Sequence, residues 1–176
     1  MIISVEMAKS LIDFGEWTDA KIEMKLKSIE QTIRAYTNNN FQERGRRCTA
    51  DIVDGAFVSG SAVPFAVGDT VQVSETGLND GLFTVSYVDG STFATAEDPT
   101  DEKGVLCTKI TYPADVIDCC VNLLEWEIRN RAKVGVQSET LSRHSVTYFN
   151  QDSANQVMGY PASLLGCLKA YRKVRC

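Results

Sequence analysis

The chain carries a single histidine, His144, and that scarcity removes most imidazole-based metal and acid–base chemistry at the outset. It has six cysteines, Cys48, Cys107, Cys119, Cys120, Cys167 and Cys176, but no C-x-x-C pair. The adjacent residues Cys119 and Cys120 cannot point the same way from a helix, so they do not form a ligand pair. In a reducing compartment such scattered cysteines act as small apolar residues, and neither a disulfide framework nor a metal site is expected. Phosphate cradles are missing too: there is no G-x-x-x-x-G-K and no G-x-G-x-x-G. No apolar run approaches the ~20 residues of a membrane-spanning helix. The first residues, MIISVEMAKS, have neither a basic leader nor an apolar stretch, so no signal peptide is expected and the product reads as soluble and intracellular.

What is present is apolar residue enough for a core, 44% of 176 residues. A chain of that length suggests one domain, or one with an insertion. The net charge of −5 argues against tight general binding of nucleic acid. That charge is unevenly spread. Residues 1–47 hold 8 basic and 7 acidic groups, residues 48–112 hold 2 and 10, and residues 113–176 hold 8 and 6. The middle segment is electrostatically a different object from its flanks.

Periodicity divides the chain at the same places. Residues 4–14 read as a short helix with Val5, Ala8, Leu11 and Ile12 on one side, ended by Gly15. Thr18 caps a second helix, with Trp17 and Ile22 at the spacing of a hydrophobic staple. Ile22, Leu26, Ile29, Ile33 and Tyr36 then form a narrow apolar seam, and Asn38-Asn39-Asn40 stops the helix. From about residue 48 the apolar period falls to two, as at Val71 and Val73 and at Phe83, Val85 and Tyr87. Turn signals recur at Gly68-Asp69, Asn79-Asp80-Gly81, Asp89-Gly90 and Lys103-Gly104, the pattern of short antiparallel strands in a small barrel or sandwich. Helical period returns after Pro113, with Ile117, Val121, Leu124 and Ile128 in one row and Val116, Cys120 and Leu123 beside it. Trp126 lies off that stripe, turned toward the β segment or another chain. A long connection, VGVQSETLSRHSVTYF, leads to a last helix expected from Pro161, with Leu164, Leu165, Leu168 and Tyr171 on one face.

The expected fold class is therefore α+β. A bundle of about four helices carries an antiparallel β module inserted between helices two and three. Residues 1–47 and 113–176 make the helical core, and residues 48–112 make the module.

The search for chemistry returns little. Ser142, His144 and Asp152 lie close in sequence, but all three sit in one Ser-rich loop, with no G-x-S-x-G turn and no oxyanion hole. Chance is the simpler account. Asp98, Asp101 and Glu102 form an acidic turn without the D-x-[DN]-x-[DN]-G order of a calcium loop, and read as a solvated turn. No catalytic residue, cofactor or metal ligand is assigned, and no enzyme activity is expected. Arg44, Arg46 and Arg47 could touch phosphate, but read more simply as a solvated linker balancing the acidic segment beside them. The basic end, Lys169, Arg172, Lys173 and Arg175, is either a dipole-satisfied helix terminus or a docking peptide for an acidic or hydrogen-bonding groove.

Taken in order, several short motifs resemble the head–tail connector proteins of long-tailed bacteriophages, also called adaptor or head-completion proteins. They are IRAYTNNNF at the end of the second helix, YPADVIDCCVNLL opening the third, VGVQSETLSRHSVTYF in the connection and GYPASLLGCLKAYRKVR at the end. The F-x-x-G-D-x-V-x-V and N-D-G-x-F-x-V pieces are similar to a β module found in some members. Cys119, Cys120 and Cys176 have no counterpart in that pattern.

The resemblance implies a non-enzymatic virion component at the portal vertex, made in the host cytoplasm. It implies a homo-oligomeric ring of about twelve copies, one heterologous interface repeated until it closes. The ring extends the DNA channel beneath the portal protein and meets a stopper or tail-completion protein. Genome DNA passes through without sequence-specific binding, and no membrane is involved. Tyr171, Arg172, Lys173 and Arg175 would dock on the portal. Leu141, Arg143, His144, Val146, Tyr148 and Phe149 would form an arm reaching a neighbouring subunit, and the seam of residues 22–36 would offer a second sticky face. The alternative is another phage neck or tail-joining module that binds without forming a portal-docked ring.

Overall fold

Ser4 and Thr18 open the first two helices as expected of small hydroxyl residues. Their side chains accept from the backbone N–H groups of Met7 and Lys21, satisfying donors that a helix start leaves free. The computed structural model describes residues 1–130, 138–141, 144–147 and 156–174. Helix α1 runs Val5–Leu11, α2 runs Asp19–Thr37 and α3 runs Ala114–Asn130. Six strands follow α2: β1 (Gln42–Val53), β2 (Ala56–Ser59), β3 (Thr70–Ser74), β4 (Gly81–Asp89), β5 (Thr92–Thr95) and β6 (Glu102–Ile110). After α3 come β7 (Ser138–Leu141), β8 (His144–Thr147), β9 (Gln156–Val157), β10 (Tyr160–Pro161) and a 3-10 helix, Gly166–Tyr171.

The chain is thus mixed helix and strand, and it divides into two compact units. One comprises Met1–Asn39 with Pro113–Cys176, the other Asn40–Tyr112.

In the helical unit four of the five α2 seam residues are consumed by the core. Ile22, Leu26, Ile29 and Ile33 have no exposed surface, and α2 packs on α1, α3 and the 3-10 helix. From α3 come Val116, Cys119, Cys120, Leu123 and Leu124, and from the last segment Leu165 and Leu168. Each such side chain contributes roughly 1.5–3 kcal/mol by leaving water. The four seam side chains are therefore used within the unit, while Tyr36, the last seam residue, stays half-buried. Trp126 packs edge-on against Tyr160, ring centroids 5.4 Å apart, inside this unit.

The second unit is a closed antiparallel barrel in the order β1-β2-β5-β4-β3-β6, with β6 returning to β1. Closure leaves no open sheet edge. Its interior is aromatic at one end, where Phe57 stacks on Phe93 at 4.5 Å and Phe65 meets Phe93 edge-on at 5.3 Å. Val71, Val73, Val85, Val105 and Cys107 fill the rest. Asp54 and Gly55, with φ of 50° and 76°, make the two-residue β1–β2 turn, a left-handed pair that suits the right-handed strand twist.

Five expectations need correction. The β unit begins before residue 48, because β1 starts at Gln42, which pairs with Ile110. Its first residues, Gln42 to Arg47, include no apolar side chain to alternate, and a register break interrupts the ladder across them. Arg44, Arg46 and Arg47 accordingly belong to a strand, not a linker. Lys103-Gly104 is not a turn between strands. It lies inside β6, where Gly104 takes φ 72° and donates its N–H to Asp51 at 2.8 Å. Tyr87 points outward, 56% exposed, because the ladder slips between Val85 and Tyr87 and reverses the face.

Finally, no α-helix starts at Pro161. Pro161 pairs with Gln156 in a short hairpin, and the bonds beyond it close over three residues: Leu164 N–H to Pro161, Gly166 N–H to Ser163, Leu168 N–H to Leu165. Three residues per turn set Leu165 and Leu168 one above the other, so the tighter helix buries both where an α-helix would spread them. Gly166 weakens the α alternative further.

Candidate functional site

The residues that end the chain are held by the residues that end α2. Asn38 caps α2 in the left-handed conformation, φ 49° and ψ 36°, and its backbone N–H donates to Arg34. Asn and Gly tolerate that conformation best, which is why the helix stops there. The Thr37 carbonyl, which the helix end leaves without an intrahelical partner, is taken by the Lys173 N–H at 2.7 Å. The Asn38 side-chain amide donates to the carbonyls of Lys173 and Val174, both at 3.4 Å, and the Asn39 amide donates to Tyr171 at 3.3 Å. The three-asparagine run thus both stops a helix and ties down the tail.

Tyr171 is fixed at its other end. Its hydroxyl donates to the Asp115 carboxylate, 2.6 and 2.7 Å from the two oxygens, at the first turn of α3. The bond to that carboxylate, and then burial, hold the phenol above its usual range. The Arg172 guanidinium lies over the Tyr36 ring, 5.3 Å from its centroid. Lys169, Arg172 and Lys173 line one shallow depression of about 520 Å³ with Tyr36 and Asn38. All three cations are exposed and none is in an ion pair among the described residues. The depression also sits where α2 ends, and the helix dipole favours cations there. Chemically it is a positive patch on a rigid backing, suited to carboxylates or carbonyls of a partner.

Of the anticipated docking residues, then, Tyr171, Arg172 and Lys173 come together, while Arg175 lies outside the described residues. Among the arm residues, Leu141 and His144 pair across the β7–β8 hairpin, and Val146 pairs with Glu139. Arg143, Tyr148 and Phe149 lie outside the described residues, as do Ser142 and Asp152 of the triad considered above. Asn38, Asn39 and Asp115 were missed as parts of the tail site. The asparagine run was visible in the sequence, but a helix stop explained it fully.

The acidic turn has a job within the barrel. Glu102 accepts from the N–H groups of Gly77 at 2.6 Å and Leu78 at 3.2 Å, and from the Asn79 amide at 2.8 Å. Asn79 in turn exchanges bonds with the Thr100 backbone, 2.9 and 2.8 Å. These donors, led by Gly77, hold the Glu102 carboxyl below its usual range. Among the described residues no cluster of three His, Cys, Asp or Glu side chains is placed to hold a metal ion. No helix among them is long and apolar enough to cross a membrane.

A scan against protein-family models finds no match to this chain, and a search of curated proteins finds no significant one.

Proposed function

We propose that the protein is a non-enzymatic virion component of a bacteriophage neck. It forms a ring beneath the portal, extends the DNA channel and joins the head to the stopper or tail. In this reading the helical unit is a connector bundle of about four helices, and the barrel is a module inserted between its second and third helices. The carrying observation is the tail site. Residues 166–174 are pinned by Asn38, Asn39, Asp115 and Thr37, so Lys169, Arg172 and Lys173 are presented from a fixed surface. Pre-ordering spares a partner much of the entropy of capturing a loose peptide. The order of short motifs along the chain supports the same reading.

The alternative, a neck or tail-joining module that binds without forming a ring, draws support from one finding. Ile22, Leu26, Ile29 and Ile33 of the α2 seam, a natural candidate for subunit contact, are buried within their own unit. Cryo-electron microscopy of a purified portal mixed with this protein separates the two. A closed ring on the portal with residues 166–174 at the contact supports the connector. Portal particles carrying isolated copies of the protein support the binding module. Portal particles without added density refute the ring and leave the binding module, whose partner is then the stopper or tail. Replacing Lys169, Arg172 and Lys173 by Glu should lower portal binding at least tenfold, since like charges then face an acidic groove.

A further inference from the structure

The barrel's outer surface carries an ordered apolar row. Val53 on β1 stands opposite Ala56 on β2, Ala56 opposite Ala94 on β5, and Ala94 opposite Tyr87 on β4. Residues directly opposite in antiparallel strands share a face, so the four form one line across four strands. The neighbouring inward row is Ile52, Phe57, Phe93 and Val88, the core. The next outward row is Asp51, Val58, Thr92 and Asp89. Val53, Val58 and Tyr87 are 49%, 44% and 56% exposed. Single exposed apolar residues need no explanation, but a continuous row across four strands does. Carboxylates rim it: Asp51, Asp54, Asp89 and Asp98 are all exposed, and Asp98 lies against Gly55 in the turn beside Val53 and Ala56.

The same barrel carries the complement. Arg44, Arg46 and Arg47 project from the broken first half of β1, all exposed. Only Arg46 is paired, to Glu43 at 3.2 Å; Arg44 and Arg47 make no ion pair among the described residues. From Arg47 to Asp51, the nearest rim carboxylate along β1, is about 13 Å at the strand rise, beyond an arginine's reach, and Asp51 already accepts from the Gly104 N–H. The basic and acidic patches of one copy therefore cannot satisfy each other.

We infer that the apolar row and its acidic rim receive the Arg44–Arg47 face of a second copy of this chain. Two different patches meeting head to tail make a heterologous contact, the kind that propagates and closes into rings. The guanidinium planes would cover the alanines and the Tyr87 ring while pairing with the rim carboxylates. This inference rests on the ring reading above and names a surface for it.

The test uses the full chain and two variants, Asp89→Arg with Asp98→Arg, and Arg44→Glu with Arg47→Glu. Each leaves the barrel interior untouched, and matching circular dichroism melts verify folding. Self-association is measured by sedimentation over a concentration range, alone and with portal. Each variant alone should associate at least tenfold more weakly than the wild type, because like charges now meet. Their equimolar mixture should regain association to within about twofold, since each reversed face finds a reversed partner. Tyr87→Lys should weaken association without rescue by the arginine variant. Wild-type association in either charge variant alone, or no rescue in the mixture, overturns the barrel contact while leaving a ring by another surface open. A wild-type chain that never associates, alone or on portal, overturns the ring reading with it.

Discussion

Replacing Glu127 by Ala should be among the most damaging single changes in the helical unit. The Glu127 side chain is 1% exposed, on α3, and its carboxylate meets partners from distant parts of the chain. Lys25 of α2 donates at 3.0 Å and the Tyr160 hydroxyl at 2.7 Å. The site thus joins α2, α3 and the hairpin that precedes the tail. Removing one member of a buried pair costs about 3–5 kcal/mol, since the other charge keeps its desolvation penalty. Here Lys25 is 28% exposed and recovers part of that from water, so about 3 kcal/mol is expected. Tyr160→Phe removes one hydrogen bond to a charged group and should cost about 1.5–3 kcal/mol. Combining Lys25→Met, Glu127→Leu and Tyr160→Phe replaces these three polar side chains by apolar ones. The triple variant should be less damaged than Glu127→Ala alone, because no buried charge is stranded. Urea unfolding followed by tryptophan fluorescence reads this unit selectively, as Trp17 and Trp126, the only two tryptophans, both belong to it. A cost below about 1 kcal/mol for Glu127→Ala, or a triple variant weaker than that single one, would refute the reasoning.

Three further outcomes follow from the same geometry. Glu102 has its folded pKa depressed, so its contribution to barrel stability is present above the unfolded value, about pH 4.3, and is lost as pH falls through the folded one. Glu102→Gln should therefore flatten the acid limb of the barrel's stability curve, and an unchanged acid limb would contradict the assignment. Burial pushes the Cys120 thiol up to about 12, whereas Cys167 is exposed. At pH 8 only about one Cys120 in 10⁴ is thiolate, so iodoacetamide should modify Cys167 in the folded protein and spare Cys120 until urea unfolds it; mass spectrometry of the peptides decides. Asn38→Gly keeps the left-handed cap but drops both side-chain bonds to the tail, so hydrogen exchange at residues 166–174 should quicken while global stability moves by only a few tenths of a kcal/mol.

The parts of the fold legible in the sequence are those fixed by local chemistry. Thr18 and the 4-3-4-3 seam from Ile22 located α2, and valine alternation with Gly-containing turns located an antiparallel β segment. What failed were places where one local signal admits two backbones. Leu164, Leu165, Leu168 and Tyr171 fit an α-helical face, yet Leu165 and Leu168 also coincide at three residues per turn, and the chain takes that tighter path. Lys103-Gly104 has the residues of a turn and also those of a bulge, and only the partner strand, through Asp51, decides between them. Tyr87 alternates correctly from Phe83 and Val85 in sequence, but a slip in the ladder is a property of two strands and leaves no mark in one.

The tail site was half legible for a related reason. Its cations were evident, because charge clustered at a chain end is a one-dimensional feature. Its backing was not, because Asn38 and Asn39 lie 135 and 132 residues before the tail residues they hold, and Asp115 lies 56 before Tyr171. The backing changes what the cations can do. A loose basic peptide binds by ordering on its partner and loses affinity to that ordering. A peptide tied at Thr37, Asn38, Asn39 and Asp115 has met much of that cost on folding. Its affinity should then depend on the tether as well as on the charges. Asp115→Asn with Asn39→Ala leaves every cation in place and loosens only the backing. If the tail docks as proposed, these two changes should weaken portal binding severalfold, mostly by slowing productive docking. Unchanged binding would mean that the tail leaves its backing before it docks, and that the fixed pose has no part in recognition.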